Sequence, residues 1–297
     1  MEPPALLLVI FNPAAGKGRA AAQLQALREA LAASGLPHHL MQTTEVGAAR
    51  HQAAAAPAKG YRAVIVAGGD GTLNEVVNAL VHTTMPVGII PLGTGNDTAK
   101  MFGLAPHKIA AALRFIKHAV PRPVDVGQVN GHHFINGLGI GFDAAIGVRA
   151  QRPSWLRGTA VYFKALLLEL VHYRSPRLHI SLNGEQTNRR RLLVTVGNGR
   201  SNGGAFFLTP DAILDDGLFD VCIADDMSRL TVLRFVGRVM RGTHTKLPPV
   251  TMARTAALSI HSPDPLPVHV DGEIVGTDLH DLDIKLLPGA LLMLHAP

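Results

Sequence analysis

The sequence predicts an α/β unit with a parallel sheet, followed by a second region made mainly of antiparallel strands. Three observations carry this reading. Up to His118, short apolar runs alternate with Ala- and Leu-rich helical segments. Glycine-rich loops follow three of those runs directly. Beyond Pro121-Arg122-Pro123 the pattern changes to short β runs separated by Gly, Asn, Asp and Pro. With 297 residues, the chain is long enough for two domains, each with its own core.

Taken in order, Ala5 to Phe11 reads as a buried strand. Arg19 to Ala33 has helical spacing and is closed by Ser34-Gly35. His38 to Thr43 is a second strand, Gly47 to Ala58 a second helix, and Arg62 to Ala67 a strong buried strand. Leu73 to Val81 follows as a helix, Val87 to Pro91 as a strand and Ile109 to His118 as a helix. The later β runs are Val124 to Val129, His133 to Asn136, Leu178 to Leu182, Arg191 to Gly197, Leu218 to Ala224, Ala256 to His261 and Val268 to Val270. Helical segments near Trp155 to Tyr173 and Ser228 to Arg241 interrupt them. This pattern suits an antiparallel sandwich or a barrel.

Cys222 is the only cysteine, so an intramolecular disulfide and a cysteine metal site are both excluded; within Leu218 to Ala224 it is expected to be a small buried hydrophobe. The N-terminus has neither a basic region nor a small-residue cleavage site, and no apolar stretch reaches the roughly 18–20 residues of a membrane span. A soluble, cytoplasmic protein is expected, with any membrane contact peripheral and at the inner face. The net charge of +6 and pI of about 9.8 suit solubility, nucleic acid or an anionic lipid surface. Low aromatic content and the lack of a binding motif weigh against nucleic acid. The histidines show no ligand spacing and are read as structural or surface groups.

The most informative stretch runs from Val64 to Glu75. A hydrophobic strand enters Gly68-Gly69-Asp70-Gly71-Thr72, and a helix starts at once. Such a turn aims free N–H groups and a positive helix end at one point, where a phosphate fits. Asp70 beside that point would repel phosphate unless Mg²⁺ bridges them. The loop is neither a Walker A motif nor a dinucleotide fingerprint. Phe11 to Lys17 and Ile89 to Asp97 form two further loops of the same kind, and in an α/β sheet such loops share one crevice.

These residues resemble the diacylglycerol kinase catalytic-domain family, which includes bacterial lipid kinases and the sphingosine and ceramide kinases. The resemblance rests on Asn12-Pro13 with Gly16, Gly68 to Thr72 with Asn74-Glu75, and Pro91 to Asp97. It continues through Phe134 to Asn136, Gly139 to Asp143, Gly203-Gly204, Pro210 to Ala212, Asp215 to Asp220 and Asp271-Gly272-Glu273. It implies an N-terminal nucleotide domain of NAD-kinase-like, Rossmann-like fold over residues 1–123 and an antiparallel β-sandwich lipid-substrate domain over residues 124–284. The last strand, about residues 285–297, is expected to return to the first domain.

The resemblance further implies ATP and Mg²⁺. Its nucleotide contacts fall on Asn12, Thr43, Gly68, Gly69, Asp70, Gly71, Thr72, Asn74, Glu75, Thr94 and Asn96. A structural Mg²⁺ would be held by Asp216 and the carbonyls of Ile213 and Leu218. Asp125 resembles an aspartate that supports catalysis. Asp271 and Glu273 supply two carboxylates; read as strand residues they point to one side, and two like charges so close raise one pKa, the other reading being a plain acidic hairpin turn. Glu273 is expected as the general base and Asp271 as its partner or a metal contact, the reverse being the alternative. The acceptor would be a lipid alcohol such as diacylglycerol, met at the membrane surface because removing a chain from the bilayer costs about 0.8 kcal/mol per CH₂. An NAD kinase sharing the glycine loop, or a non-catalytic nucleotide- or lipid-binding module, are the competing readings.

Overall fold

The computed structural model describes residues 6–151 and 159–297. The first five residues, and the start of the expected helix at Trp155, lie outside the described residues. The chain divides into two compact units: Met1–Val126 with Pro288–Pro297, and Gly127–Leu287.

In unit 1, β1 (Leu7–Phe11), β2 (His38–Gln42), β3 (Ala63–Gly68) and β4 (Val87–Pro91) pair in parallel in the order β2-β1-β3-β4. Every residue of β1, β3 and β4 is buried, whereas the edge strand β2 is partly exposed. Strands covered on both faces need continuous apolar runs, which is why their pattern does not alternate. The helices are α1 (Leu24–Ser34), α2 (Ala48–Ala54), α3 (Asp70–Leu80), α4 (Asp97–Met101) and α5 (Ile109–His118).

The expected helix from Arg19 opens instead as a 3₁₀ turn over Arg19–Gln23, entered from Gly18 in the left-handed region, and becomes α-helical only at Leu24. Gly35 ends it, also left-handed. α4 was not expected, because it is a single short turn of helix with little periodicity to detect.

Unit 2 carries β6 (His132–Phe134), β7 (Gly137–Gly141), β8 (Arg177–Leu182), β9 (Glu185–Gly197), β10 (Phe219–Asp225), β11 (Val250–Thr255) and β12 (Ala257–Val270). Two strands run through both units: β5 (Val120–Val129) and β13 (Glu273–His295). β7 and β8 each pair antiparallel with both β9 and β12, so these four strands close into a small barrel. β10 and β11 extend the sheet from β9. The helices are α6 (Phe142–Ala150), α7 (Thr159–His172) and α8 (Arg229–Val239).

The core of unit 2 gathers Phe134, Leu138, Ile140, Val194, Val196 and Phe219, with Phe134 stacked on Phe219 at 5.6 Å between ring centres. β9 begins six residues before the expected Arg191, because that stretch is mostly exposed and polar. The two expected runs at Ala256 and Val268 are one strand, β12, whose register shifts around its prolines. Cys222 is fully buried, its Sγ 3.7 Å from His244 Nε2, and burial pushes its thiol up to about 12.

Candidate active site

In a parallel sheet the loops that follow the strands emerge at one edge. In unit 1 these loops are built on backbone contact. Leu92 N donates to Gly68 O at 2.8 Å, and a Cβ on Gly93 would stand 2.5 Å from Gly69 Cα. No side chain fits there, so the two loops meet as bare backbone. Asn12 joins them: its N–H donates to Ala67 O at 3.0 Å and its Nδ2 to Thr72 Oγ1 at 2.9 Å. Thr43, at the end of β2, is buried, and its N–H donates to Phe11 O at 2.9 Å. Gly71 and Thr72 lie in the first turn of α3, whose N-cap is Gly69. A Cβ on Gly68 would stand 2.8 Å from Thr72 Oγ1.

Two carboxylates face this cradle. A Cβ on Gly95 would stand 2.9 Å from Asp70 Oδ2 and 3.4 Å from Asp97 Oδ2, and Asp70 Oδ1 accepts from Thr98 N at 3.4 Å. Asp97 Oδ1 is also ion-paired with Lys100 Nζ at 3.2 Å, so Asp70 is the carboxylate that suits a nucleotide carrying its own Mg²⁺. Arg19, which the sequence reading passed over, adds a cation: its guanidinium donates to Gly16 O at 3.0 Å and to Thr94 Oγ1 at 3.2 Å.

Other expected contacts have structural partners. Glu75 Oε1 accepts from Gly47 N at 3.1 Å and Oε2 from Ala49 N at 3.1 Å, so its carboxylate caps α2. Asn96 is buried and closes its own loop through Gly93 N and Gly93 O, both at 2.9 Å. Asn74 Oδ1 accepts from Asn78 Nδ2 at 3.1 Å. Asp125 is buried, and its Oδ1 accepts from Gly289 N at 2.8 Å, which ties β5 to the returning end of β13.

In unit 2, Asp271 and Glu273 do not lie on one strand. Asp271 and Gly272, both with positive φ, form the two-residue turn of the β12–β13 hairpin, and Val270 faces Glu273 across it. The apolar alternation of Val268 to Val270 stops at Asp-Gly because both residues accept the left-handed conformation. The Asp271 carboxylate is engaged by backbone. Oδ1 accepts from Asn136 N and Gly137 N, both at 2.9 Å, and Oδ2 from Ile135 N at 3.0 Å. Glu273 is exposed.

Beneath this turn lies a pair that the sequence reading missed. His269 is buried, with Nε2 3.2 Å from Asp143 Oδ2, and its Nδ1 lies 3.3 Å from Gly272 N. A Cβ on Gly139 would stand 2.2 Å from His269 Nε2, so glycine there makes room for the pair. Burial alone would lower the His269 pKa, but Asp143, with Asp271 and Glu273 behind it, raises it on balance.

The turn expected to hold a structural Mg²⁺ already contains a cation. Arg254 ion-pairs with Asp216 Oδ2, and its Nε lies 3.6 Å from Asp220 Oδ2. Asp216 Oδ1 accepts from Leu218 N at 3.1 Å. Among the described residues no group of three His, Cys, Asp or Glu side chains could hold a metal. Asp216 with Ile213 and Leu218 therefore does not fit a divalent ion as the turn stands, because a guanidinium neutralises its one carboxylate.

Comparison with known proteins agrees with this architecture. Residues 6–129 match the diacylglycerol kinase catalytic domain, and residues 137–295 match the YegS C-terminal NAD kinase beta sandwich-like domain. A diacylglycerol kinase of Mycobacterium tuberculosis (strain ATCC 25618 / H37Rv) is 33% identical over 96% of this chain and 94% of its own length. One from Bacillus subtilis (strain 168) is 30% identical over 97% and 93%. A crystal structure of a diacylglycerol kinase from Bacillus anthracis str. Sterne superposes with a TM-score of 0.75 at 26% identity, covering 100% of this chain and 98% of that one. The α/β unit, the β-sandwich unit and these matches define a phosphotransferase. The chain belongs to the diacylglycerol kinase family.

Proposed function

We propose that this chain is an ATP-dependent lipid kinase that passes the γ-phosphate of ATP to the hydroxyl of a lipid alcohol such as diacylglycerol at the membrane surface. The observation that carries this reading is the cradle of unit 1, where the Gly68–Thr72 and Gly93–Asn96 loops meet backbone to backbone with Asn12 beside them. On this reading unit 1 is a nucleotide domain of NAD-kinase-like fold. Among the described residues no helix is long and apolar enough to cross a membrane, which suits peripheral access to the lipid.

The geometry of each unit supports the following roles. The N–H groups at the start of α3 and the Arg19 guanidinium receive the phosphates, and Thr43 and Thr94 flank them. Asp70 would hold the Mg²⁺ of the nucleotide, which would supply charge neutralisation at the γ-phosphate. In unit 2 the Asp271 carboxylate already accepts three N–H bonds, so it holds the hairpin in place. Glu273, exposed beside it, is the general base. It takes the proton from the acceptor hydroxyl as that oxygen bonds to the γ-phosphorus, and ADP leaves with the bridging oxygen. Asp125 supports the site by fixing the Gly289 turn.

The test is transfer of labelled γ-phosphate to a panel of lipids in mixed micelles, with NAD as a soluble acceptor. Wild type should phosphorylate a lipid alcohol, and Glu273→Gln should be slower by on the order of 10²–10⁴-fold with unchanged melting. Transfer to NAD alone would replace the lipid reading. Full activity in Glu273→Gln would move the base elsewhere.

A further inference from the structure

Unit 2 carries an exposed face that its core leaves unused. α7 presents Phe163, Leu167 and Val171 at four-residue spacing, with fractional exposures of 38%, 54% and 52%. α8 buries Val232, Phe235 and Val239 and turns Leu230 and Leu233 outward at 60% and 43%. The Arg229 guanidinium donates to Val171 O at 2.6 Å, which joins the end of α7 to the start of α8. Most of the large hydrophobic side chains exposed on the described surface therefore fall on these two helices.

Positive charge predominates on this face. Arg234, Arg238 and Arg241 are exposed and line a groove of about 410 Å³, whose other walls include Leu247, Pro248 and Pro249. α8 contains no carboxylate. The one on α7, Glu169, is ion-paired with Arg149 and mostly buried. Asp226, just before α8, accepts from Ser175 Oγ at 2.6 Å. Apolar side chains beside uncompensated guanidinium groups match the boundary between acyl chains and anionic head groups.

We propose that the α7–α8 face docks unit 2 onto a bilayer surface bearing anionic lipid. This rests on the lipid-kinase reading and names the surface from which the acceptor is reached. The guanidinium groups meet the head groups, and Leu230, Leu233, Leu167 and Val171 enter the acyl boundary. The arginines act before chemistry, by raising the concentration of enzyme at the surface.

The experiment is co-sedimentation of the full chain with phosphatidylcholine vesicles, with and without phosphatidylglycerol, in the absence of ATP. Wild type should bind the anionic vesicles preferentially and lose binding as salt rises. The Arg234→Gln/Arg238→Gln/Arg241→Gln variant should bind them roughly a hundredfold more weakly, from about fivefold per arginine. Leu230→Ser/Leu233→Ser should weaken binding at every salt concentration. Equal binding to both vesicle types, or wild-type binding by the arginine variant, would overturn the proposal. So would a change in sedimentation without vesicles that shows the face pairing two copies of the chain. Transfer to a short-chain diacylglycerol in free solution, measured in parallel, should be the same in wild type and variant. Its absence from both would count against the kinase reading and leave the vesicle result to stand by itself.

Discussion

The glycine loops of unit 1 and the acidic hairpin of unit 2 both gather backbone N–H groups around a negative charge, but the charge has a different origin. In unit 2 it is built in: Asp271 satisfies Ile135, Asn136 and Gly137 from within the chain. In unit 1 the N-cap of α3 is Gly69, which has no side chain to offer its first turn, so those N–H groups suit an anion brought from outside. The neighbouring α2 makes the contrast sharper, because Glu75 caps its first turn. α2 too has a glycine, Gly47, at its N-cap, but there the Glu75 carboxylate takes the place that an anion would hold.

This difference leads to three expected outcomes. Asp271→Ala should have the largest effect. It leaves three N–H groups without their acceptor and puts alanine at positive φ, for a loss of about 3 kcal/mol in urea unfolding. Asp271→Asn should recover part of that, and ATP affinity by calorimetry should stay at the wild-type value in both. An equal fall in ATP affinity would mean that the hairpin also serves the nucleotide.

Gly93→Ala should act the other way. The new Cβ overlaps Gly69, and forcing the loops apart should cost about 1–3 kcal/mol. ATP affinity should fall with it, while the hydrogen-exchange protection of β12 and β7 is unchanged. Normal ATP binding by this variant would remove the cradle from the site.

The smallest effect should come from His269→Gln, read through pH. The His269 pKa is raised in the native state, so the stabilisation from its protonated form is complete below about pH 6.5 and is lost as pH rises through the native value. Melting temperature should therefore decline with rising pH in wild type by a component that the variant lacks. Identical pH profiles would show that the pair with Asp143 does not change charge.

What could be read in the sequence follows the range of the interactions. The parallel strands of unit 1 and its three glycine loops were legible, because apolar runs and Gly-rich turns are local signals; the strand order was not. The hairpin at Asp271-Gly272 was also signalled locally, since Asp-Gly favours a two-residue turn. It stood as the second reading, because the strand run of Val268 to Val270 favoured a continuing strand. The capping of α2 by Glu75, the reach of Arg19 to Thr94 and the pairing of His269 with Asp143 have no local pattern at all. Their partners are 25 or more positions apart and meet only through the fold. Arg254 on Asp216 is another such case, in which a distant residue brings a guanidinium to a turn that seemed shaped for a metal.

The path of β13 has a consequence for how the protein is made. Its first part belongs to unit 2, and its last residues pair with β4 of unit 1 through Met293 and Val87. The outermost strand of the N-terminal sheet is therefore synthesised only after the whole of unit 2. Unit 1 must wait through the synthesis of unit 2 with one edge of its sheet unpaired, and its folding ends with a contact spanning most of the chain. A chain cut before Pro288 would register first as an unfinished N-terminal domain.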